Sequence, residues 1–260
     1  MTILKKELRT NAAGLAVWAL SVGGLMAVCV GLYPSMESEM ENVSALFAQM
    51  GSFSAAFGLD TLPFGSLIGF YGTECGNLLG LGGAFYAALT GMGMLAGEEG
   101  GGTAEFLLTH PVSRLRVGAE KLLALAVLIL ALNAVCFACG AGAIAAIGGQ
   151  ADWGDLMRLH GAMLLMQWEI GGVCFGLSSL LRRGGAGLGL GLTALLYFAG
   201  LIINLNARLD GLRFFTPYFY ADAARLLSGE PVAGALAAGC AWAVLGAGFG
   251  LWQFRRKDIA

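Results

Sequence analysis

The sequence predicts an all-α, polytopic membrane protein with six transmembrane helices, formed by residues 1–260 as a single transmembrane domain. Of its residues 57% are hydrophobic and only 12% are charged, whereas a soluble domain typically carries about 25% charged residues. The mean hydropathy is +0.74. The apolar–polar alternation of a membrane β-barrel is absent. Helices are therefore expected, because a helix satisfies its own backbone hydrogen bonds inside a bilayer.

Each predicted span is long enough to cross a hydrocarbon core of about 30 Å, which takes about 20 helical residues. Five of the spans contain windows of this length without Asp, Glu, Lys or Arg, and the fourth is apolar apart from His160, Gln167 and Glu169. The first apolar run is longer than the core of a signal peptide, so we interpret it as span one. The spans are predicted at about residues 12–32, 75–97, 121–148, 158–181, 185–205 and 232–254.

The first ten residues alternate aliphatic side chains with Lys5, Lys6 and Arg9. This pattern is compatible with an amphipathic lead-in to span one that lies in the membrane interface. It is equally compatible with a disordered basic flank.

The distribution of Lys and Arg predicts the orientation. With the N-terminus inside, the inner segments hold eleven basic residues and the outer segments hold four: Arg158, Arg208, Arg213 and Arg225. Because inner loops of membrane proteins are enriched in Lys and Arg, both termini are predicted to be cytoplasmic.

Two outer regions are predicted to contain structure. The outer region 33–74 is acidic but rich in Phe and Leu, which favours short helices that lie on the membrane or cap the spans. The region 206–230 groups five aromatic residues around Pro217, a pattern typical of an interfacial aromatic belt. These are Phe214, Phe215, Tyr218, Phe219 and Tyr220.

Several glycines lie four residues apart within spans, which predicts close approach of helix backbones in lipid. The pairs are Gly172 and Gly176, Gly187 and Gly191, and Gly246 and Gly250. Cys136 and Cys139 form a Cys-x-x-Cys, but within an apolar span we interpret them as packing residues.

The charged inner loop 98–120 between spans two and three is predicted to contain a short helix. Thr103 can serve as its N-cap, and Glu105 lies in the first turn, where the helix dipole favours an anion. Pro111 ends the helix, and Ser113 can cap the helix that leads into span three. The alternative is a loop that only reverses the chain.

This loop resembles the loop between spans two and three of ABC-2 type permeases, the membrane subunits of many bacterial ABC transporters. The resemblance lies in the pattern Glu99…Gly102-Thr103-x-Glu105-Phe106-Leu107-Leu108-x-x-Pro111-Val112-Ser113-Arg114, followed by Lys121. Weaker similarities occur at residues 175–183, 216–222 and 255–258. Gly101 departs from the pattern, since relatives commonly carry Arg or Lys there.

The resemblance implies that the short helix is a coupling helix that docks on a cytoplasmic ATPase subunit. It further implies a second permease protomer, either identical or different, and a multi-pass location in the bacterial cytoplasmic membrane with cargo moved outward. ATP and Mg would bind to the partner ATPase, and no cofactor is expected in this chain. The implied ATPase-contact residues are Glu99, Thr103, Glu105, Phe106, Pro111 and Arg114.

Glu169 is a carboxylate deep inside a predicted span, where an ionised group costs about 2.5–3.5 kcal/mol on insertion scales. It is a possible intramembrane polar site that contacts cargo or forms a gating hydrogen bond. A structural hydrogen bond to Asn133, Asn204 or a second protomer is the alternative.

The sequence lacks the motifs of ATP-binding proteins and of His-based metal sites. No Gly-x-x-x-x-Gly-Lys-Ser/Thr is present, so ATP binding by a P-loop is not expected in this chain. The two histidines, His110 and His160, are too few and too far apart for a His-based metal site. We expect no catalytic residues, no bound metal and no nucleic-acid partner. A secondary transporter or channel, and less readily a membrane-embedded enzyme, are the alternative functions.

Overall fold

The computed structural model describes residues 2–59, 62, 65–100 and 113–257, and within them every regular element is helical. Six helices are long: α1 (Thr2–Met36), α4 (Leu67–Gly100), α5 (Arg114–Ala146), α6 (Trp153–Ser178), α7 (Ala186–Leu205) and α9 (Ala233–Arg256). Three are short: α2 (Met40–Gln49), α3 (Ser52–Ala56) and α8 (Ala223–Ser228). Two 3₁₀ helices cover Glu37–Glu39 and Ala207–Phe214.

Five of the long helices are long and apolar enough to cross a membrane, namely α1, α4, α5, α7 and α9. The predicted fourth span, 158–181, corresponds to α6, which contains Gln167 and Glu169 and is not among these five. The all-helical prediction is confirmed for the described residues. The count of six spans stays a prediction.

The helix boundaries differ from the predicted ones mainly at α1 and α4. Helix α1 already begins at Thr2, and both Ile3 and Glu7 are buried. A disordered N-terminal flank was therefore the wrong alternative for these residues. Helix α4 begins at Leu67, eight residues before the predicted span begins at residue 75, because Glu74 interrupts the uncharged run from which the span was predicted.

Contacts between helix ends show which ends lie together. Lys121 near the start of α5 pairs with Glu7 near the start of α1. Gly185, just before α7, lies close to Met92 near the end of α4. We call this end of the bundle the basic end; it holds the starts of α1, α5 and α7 and the ends of α4, α6 and α9. The short helices lie at the opposite end.

Helix α6 is the centre of the bundle and packs mainly against α4 and α9. Its apolar side chains Met166, Cys174 and Phe175 are fully buried. The polar residues in its central part, His160, Gln167 and Glu169, are buried as well. The bundle interior therefore supplies the hydrogen-bond partners that lipid lacks.

Glycines let α6 and α9 approach at backbone distance. A Cβ on Gly176 would lie 2.6 Å from the Gly246 carbonyl oxygen, and a Cβ on Gly246 would lie 2.7 Å from the Val173 Cα atom. The prediction that glycines four residues apart allow helix backbones to approach closely is thus confirmed for two pairs, Gly172 with Gly176 and Gly246 with Gly250. A Cβ on Gly187 or Gly191 of α7 would meet no described atom within 4 Å, so this pair does not pack inside the protomer.

The outer surface of the bundle is apolar on α1, α5, α7 and α9, as expected of a multi-pass membrane protein; α5 exposes Leu123, Leu130 and Val135. Helix α1 exposes Val17, Leu20, Leu25 and Val28, α7 exposes Leu188, Leu195 and Phe198, and α9 exposes Val244 and Leu245.

The opposite end is capped by folded segments. Tyr33, Met40, Leu59 and Phe70 form a small second core that joins the region after α1 to α4. The short helices predicted in region 33–74 are present as α2 and α3.

The aromatic region before α8 differs from the predicted interfacial belt. Phe214 and Phe215 are exposed, but Phe219 and Tyr220 are buried in the main core. The belt interpretation is therefore wrong for these two residues. The connection between α7 and α9 enters the bundle instead of lying on its surface.

Candidate functional site

Two groups of polar residues are candidates for function. One surrounds the loop 101–112 at the basic end, and the other is centred on Glu169 inside the bundle. Within the described ranges, no three His, Cys, Asp or Glu residues come together as metal ligands would.

The structure locates only part of the predicted ATPase contact. Glu99 lies in the last turn of α4, and Arg114 is the first residue of α5. The short helix predicted between them lies outside the described residues, together with four of the six predicted contact residues: Thr103, Glu105, Phe106 and Pro111. The contact itself therefore stays a prediction.

The chain leaves the loop through a capped helix. Ser113 has an extended backbone conformation, and its Oγ accepts a hydrogen bond of 3.3 Å from the Arg116 backbone N–H. This bond satisfies one of the N–H groups that lack a partner at a helix start. The prediction that Ser113 caps the helix leading into span three is confirmed.

Arg114 connects the start of α5 to the end of α9. Its Nη1 donates a hydrogen bond to the backbone carbonyl of Lys257. Lys257 in turn donates from Nζ to the carbonyl oxygen of Leu181, at 2.6 Å, just beyond the end of α6. Two cationic side chains thus bind carbonyl groups at helix ends, where the helix dipole favours positive charge. The ends of three helices are tied together beside the loop.

A buried ion pair connects α5 to α1. Lys121 Nζ lies 2.6 Å from Glu7 Oε1, and the two side chains are 2% and 10% exposed. The preceding residue, Glu120, accepts a 3.2 Å hydrogen bond from the Leu4 backbone N–H and pairs with Arg116 at 3.1 Å. Removing one partner of a buried pair leaves an uncompensated charge. The start of α5 is therefore firmly held against α1.

The surface around this end is positively charged. Among the described residues, eight exposed basic side chains surround it: Lys5, Lys6, Arg9, Arg116, Arg182, Arg183, Arg255 and Arg256. Such a surface suits contact with anionic lipid headgroups and is compatible with the predicted cytoplasmic orientation.

Glu169 is bonded to a residue that sequence reasoning did not select. The Tyr220 hydroxyl donates a hydrogen bond of 2.7 Å to Glu169 Oε2, and both residues are buried. The structural partners considered above bind elsewhere within the protomer. Asn133 donates to Gln167 at 2.7 Å, and Asn204 donates to Asp222 at 3.0 Å.

Gly239 of α9 makes room for this pair. A Cβ at Gly239 would lie 2.5 Å from Glu169 Oε2 and 2.7 Å from the Tyr220 hydroxyl. The carboxyl–phenol bond therefore joins α6, α9 and the connection between α7 and α9 at one point.

A second buried polar link lies two residues away on α6, at Gln167. Gln167 donates from Nε2 to the Leu79 carbonyl at 3.2 Å and accepts from Asn133, so it joins α6 to α4 and α5. A Cβ at Gly83 would lie 2.2 Å from Gln167 Nε2, and glycine there provides the space. The sequence marked Gln167 only as a polar interruption of a span.

A family model described as "ABC-2 family transporter protein" matches residues 1–259 of the chain. None of the curated proteins compared matches it significantly.

Proposed function

Because this chain belongs to the ABC-2 family of transporter proteins, we propose that it is a membrane permease subunit that exports cargo with energy from a separate cytoplasmic ATPase. Membership in this family supports the general assignment of the chain as the membrane transport subunit of an ABC transporter. The direction of transport, the ATPase partner and the orientation with both termini in the cytoplasm are parts of the proposal.

The observation that supports the proposal is the way in which the basic end holds α5, the helix that follows the loop 101–112. Glu7 and Lys121 tie α5 to α1, Arg114 ties α5 to Lys257 after α9, and Lys257 binds the carbonyl of Leu181 beyond α6. A loop joined to a firmly held helix can pass a displacement to the bundle. In this proposal the ATPase displaces the loop, and the bundle tilts as a body.

A second permease protomer completes the proposed transporter. The outward face of α7 supports it, because Gly187 and Gly191 there meet no described atom within 4 Å. A groove of about 480 Å³ lined by leucines lies along the same face. Glycines four apart allow two helices to pack closely in lipid, and this spacing is unused inside the protomer.

A single charged substitution in the loop tests this proposal. Phe106→Asp should leave the permease folded but abolish co-purification of an ATP-hydrolysing subunit, because a carboxylate cannot fill an apolar pocket of the partner. The matched control is Phe53→Asp, which alters a half-exposed Phe of α3 at the opposite end. Retained co-purification with full transport in Phe106→Asp would contradict the assignment of the loop.

A further inference from the structure

A small cavity lies at the opposite end of the bundle, among α4, α6, α7 and the start of α8. Its volume is about 70 Å³. It has room for about five waters or for one solute of that size, since a buried water needs about 10–15 Å³. Drug-sized ligands fill pockets of about 300 Å³ or more, so a ligand of this cavity must be small. The exposed Asn77 belongs to the lining, so the cavity reaches the protein surface beside α4.

The described lining contains one carboxyl group and no Lys, Arg or His. The carboxyl group belongs to Asp222, which is partly buried. Its Oδ1 accepts a hydrogen bond of 3.2 Å from the Arg225 backbone N–H, and its Oδ2 accepts one of 3.0 Å from Asn204 Nδ2. Both of these donors are uncharged. Within the described ranges, Asp222 forms no ion pair.

The basic side chain of α8, Arg225, binds other groups. Its Nη1 lies 2.5 Å from Glu230 Oε2, its Nη2 donates to Asn204 Oδ1 at 3.0 Å, and its guanidinium lies 4.1 Å from the centre of the Phe219 ring. Because Glu230 balances the charge of Arg225, the ionised Asp222 carboxylate is left without a counter-ion of its own. A carboxylate withdrawn from water is costly unless a cation or a proton compensates it.

Two tyrosines line the same cavity. The rings of Tyr197 and Tyr218 are in edge contact, with centroids 5.3 Å apart and an interplanar angle of 78°. The Tyr218 hydroxyl is buried and has no hydrogen-bond partner among the described residues, so its oxygen is available to a ligand. Aromatic rings also attract cations through their π faces. Met163 and Met166 of α6 add apolar surface.

We propose that this cavity binds a small organic ammonium ion of about the size of ethylammonium, with Asp222 as its counter-ion and the Tyr218 hydroxyl as a hydrogen-bond acceptor. A primary ammonium group carries three N–H donors, so it can bind both groups together. The tyrosine rings and the methionines suit the carbon part of the ligand, which a hydrated inorganic ion lacks. The site lies at the opposite end from the proposed ATPase contact and does not depend on it.

The test measures the binding of radiolabelled ethylammonium to the full chain in detergent by equilibrium dialysis. Asp222→Asn removes the charge but keeps an oxygen that can cap α8, and it should weaken binding about tenfold or more. The matched control is Asp210→Asn, which removes an exposed carboxylate outside the cavity and should bind like the wild type. Equal binding by the wild type and Asp222→Asn overturns the proposal.

A second variant covers the case in which Asp222→Asn does not fold. Tyr218→Phe removes a hydroxyl to which no described residue is bonded, so it should fold like the wild type and weaken binding several-fold. Its control is Tyr86→Phe, which removes a buried hydroxyl outside the cavity. Unchanged binding by a folded Tyr218→Phe overturns the proposal.

Competition identifies the ligand. Unlabelled ethylammonium should displace the probe, whereas ethanol should not, because it has a similar size but no charge. Displacement by ethanol overturns recognition of the charge. Equal displacement by Na⁺ shows that the site takes an inorganic cation and overturns the assignment to an organic one. Displacement by a short-chain phosphatidylethanolamine at lower concentrations than ethylammonium shows that a lipid headgroup supplies the ammonium group, and overturns the assignment to a free amine.

Discussion

Tyr220 donates a 2.7 Å hydrogen bond to Glu169 across 51 positions of sequence, and this bond holds the connection between α7 and α9 inside the bundle. The phenol comes from a segment with the composition of a loop, and the carboxyl comes from the central helix. Both groups lie away from water, where a lost hydrogen bond is costly. The bond thus makes the opposite end of the protein a structural part of the core.

The first prediction concerns the donor. Tyr220→Phe should destabilise the protein by about 1–3 kcal/mol, because it leaves Glu169 Oε2 buried without its donor. Thermal unfolding in detergent measures the loss. The matched control is Tyr218→Phe, since the buried Tyr218 hydroxyl has no hydrogen-bond partner in the described residues. Equal losses from the two variants would argue against the bond.

The second prediction concerns the acceptor. Glu169→Gln retains an oxygen that can accept from Tyr220 and should assemble like the wild type, whereas Glu169→Ala should lose stability by about 1–3 kcal/mol. Measuring transport by the correctly assembled variants distinguishes a structural role of Glu169 from a role in transport. Normal transport by an assembled Glu169→Ala would show that the carboxyl does not act on cargo or gating.

The third prediction concerns the contact between α6 and α9. Gly246→Val should force the two helices apart, because its Cβ would lie 2.7 Å from the Val173 Cα atom. Overpacking of this kind costs about 1–3 kcal/mol or more. Gly248→Val on the same helix is the control, since nothing described lies within 4 Å of its Cβ position. The prediction fails if both variants melt at the same temperature.

The fourth prediction concerns the ion pair at the basic end. Lys121→Met should cost about 3–5 kcal/mol, because it leaves the buried Glu7 carboxylate without its counter-ion. Adding Glu7→Gln should restore most of the loss. Arg158→Met, which breaks an exposed pair with Asp155, should cost at most about 1 kcal/mol. A double variant as unstable as the single one would contradict the buried-pair explanation.

The fifth prediction concerns pH at the opposite end. Burial raises the pKa of Asp222, although hydrogen bonds from Asn204 and from backbone N–H groups oppose the shift. The folded protein therefore binds this proton more tightly than the unfolded chain does. The protonated Asp222 carboxyl contributes fully to the free energy of unfolding below the ordinary Asp pKa of about 3.9. This contribution is lost as the pH rises through the raised pKa of the folded protein.

Asp222→Asn tests this dependence. It retains an N-cap oxygen for α8 and removes the titrating proton, even though it also loses the bond from Asn204. The fall in melting temperature with rising pH should be smaller in the variant than in the wild type. Identical slopes would exclude Asp222 as their source.

Long apolar runs made the helices of the bundle predictable, because hydropathy over about 20 residues reports directly on burial in lipid. Helix α4 begins eight residues before the predicted start of its span at residue 75, since Glu74 interrupts the uncharged run there. The Ser113 cap was predictable because capping is local chemistry.

The partner of Glu169 was not predictable in the same way. Tyr220 is distant in sequence, and its aromatic neighbours resemble an interfacial belt. Glycine spacing likewise predicts close packing but not the face on which it occurs. Gly176 and Gly246 meet inside the protomer, whereas Gly187 faces outward.

The ties at the basic end determine how this protein can deform. Because the first residues of α5 are bound to α1 through Glu7 and to α9 through Lys257, bending α5 alone would break both attachments. A load applied beside Ser113 would be shared among several helices at once. Rotation of the whole bundle as a rigid body breaks none of these internal attachments. Such a rotation changes only the contacts that the protein makes with its surroundings.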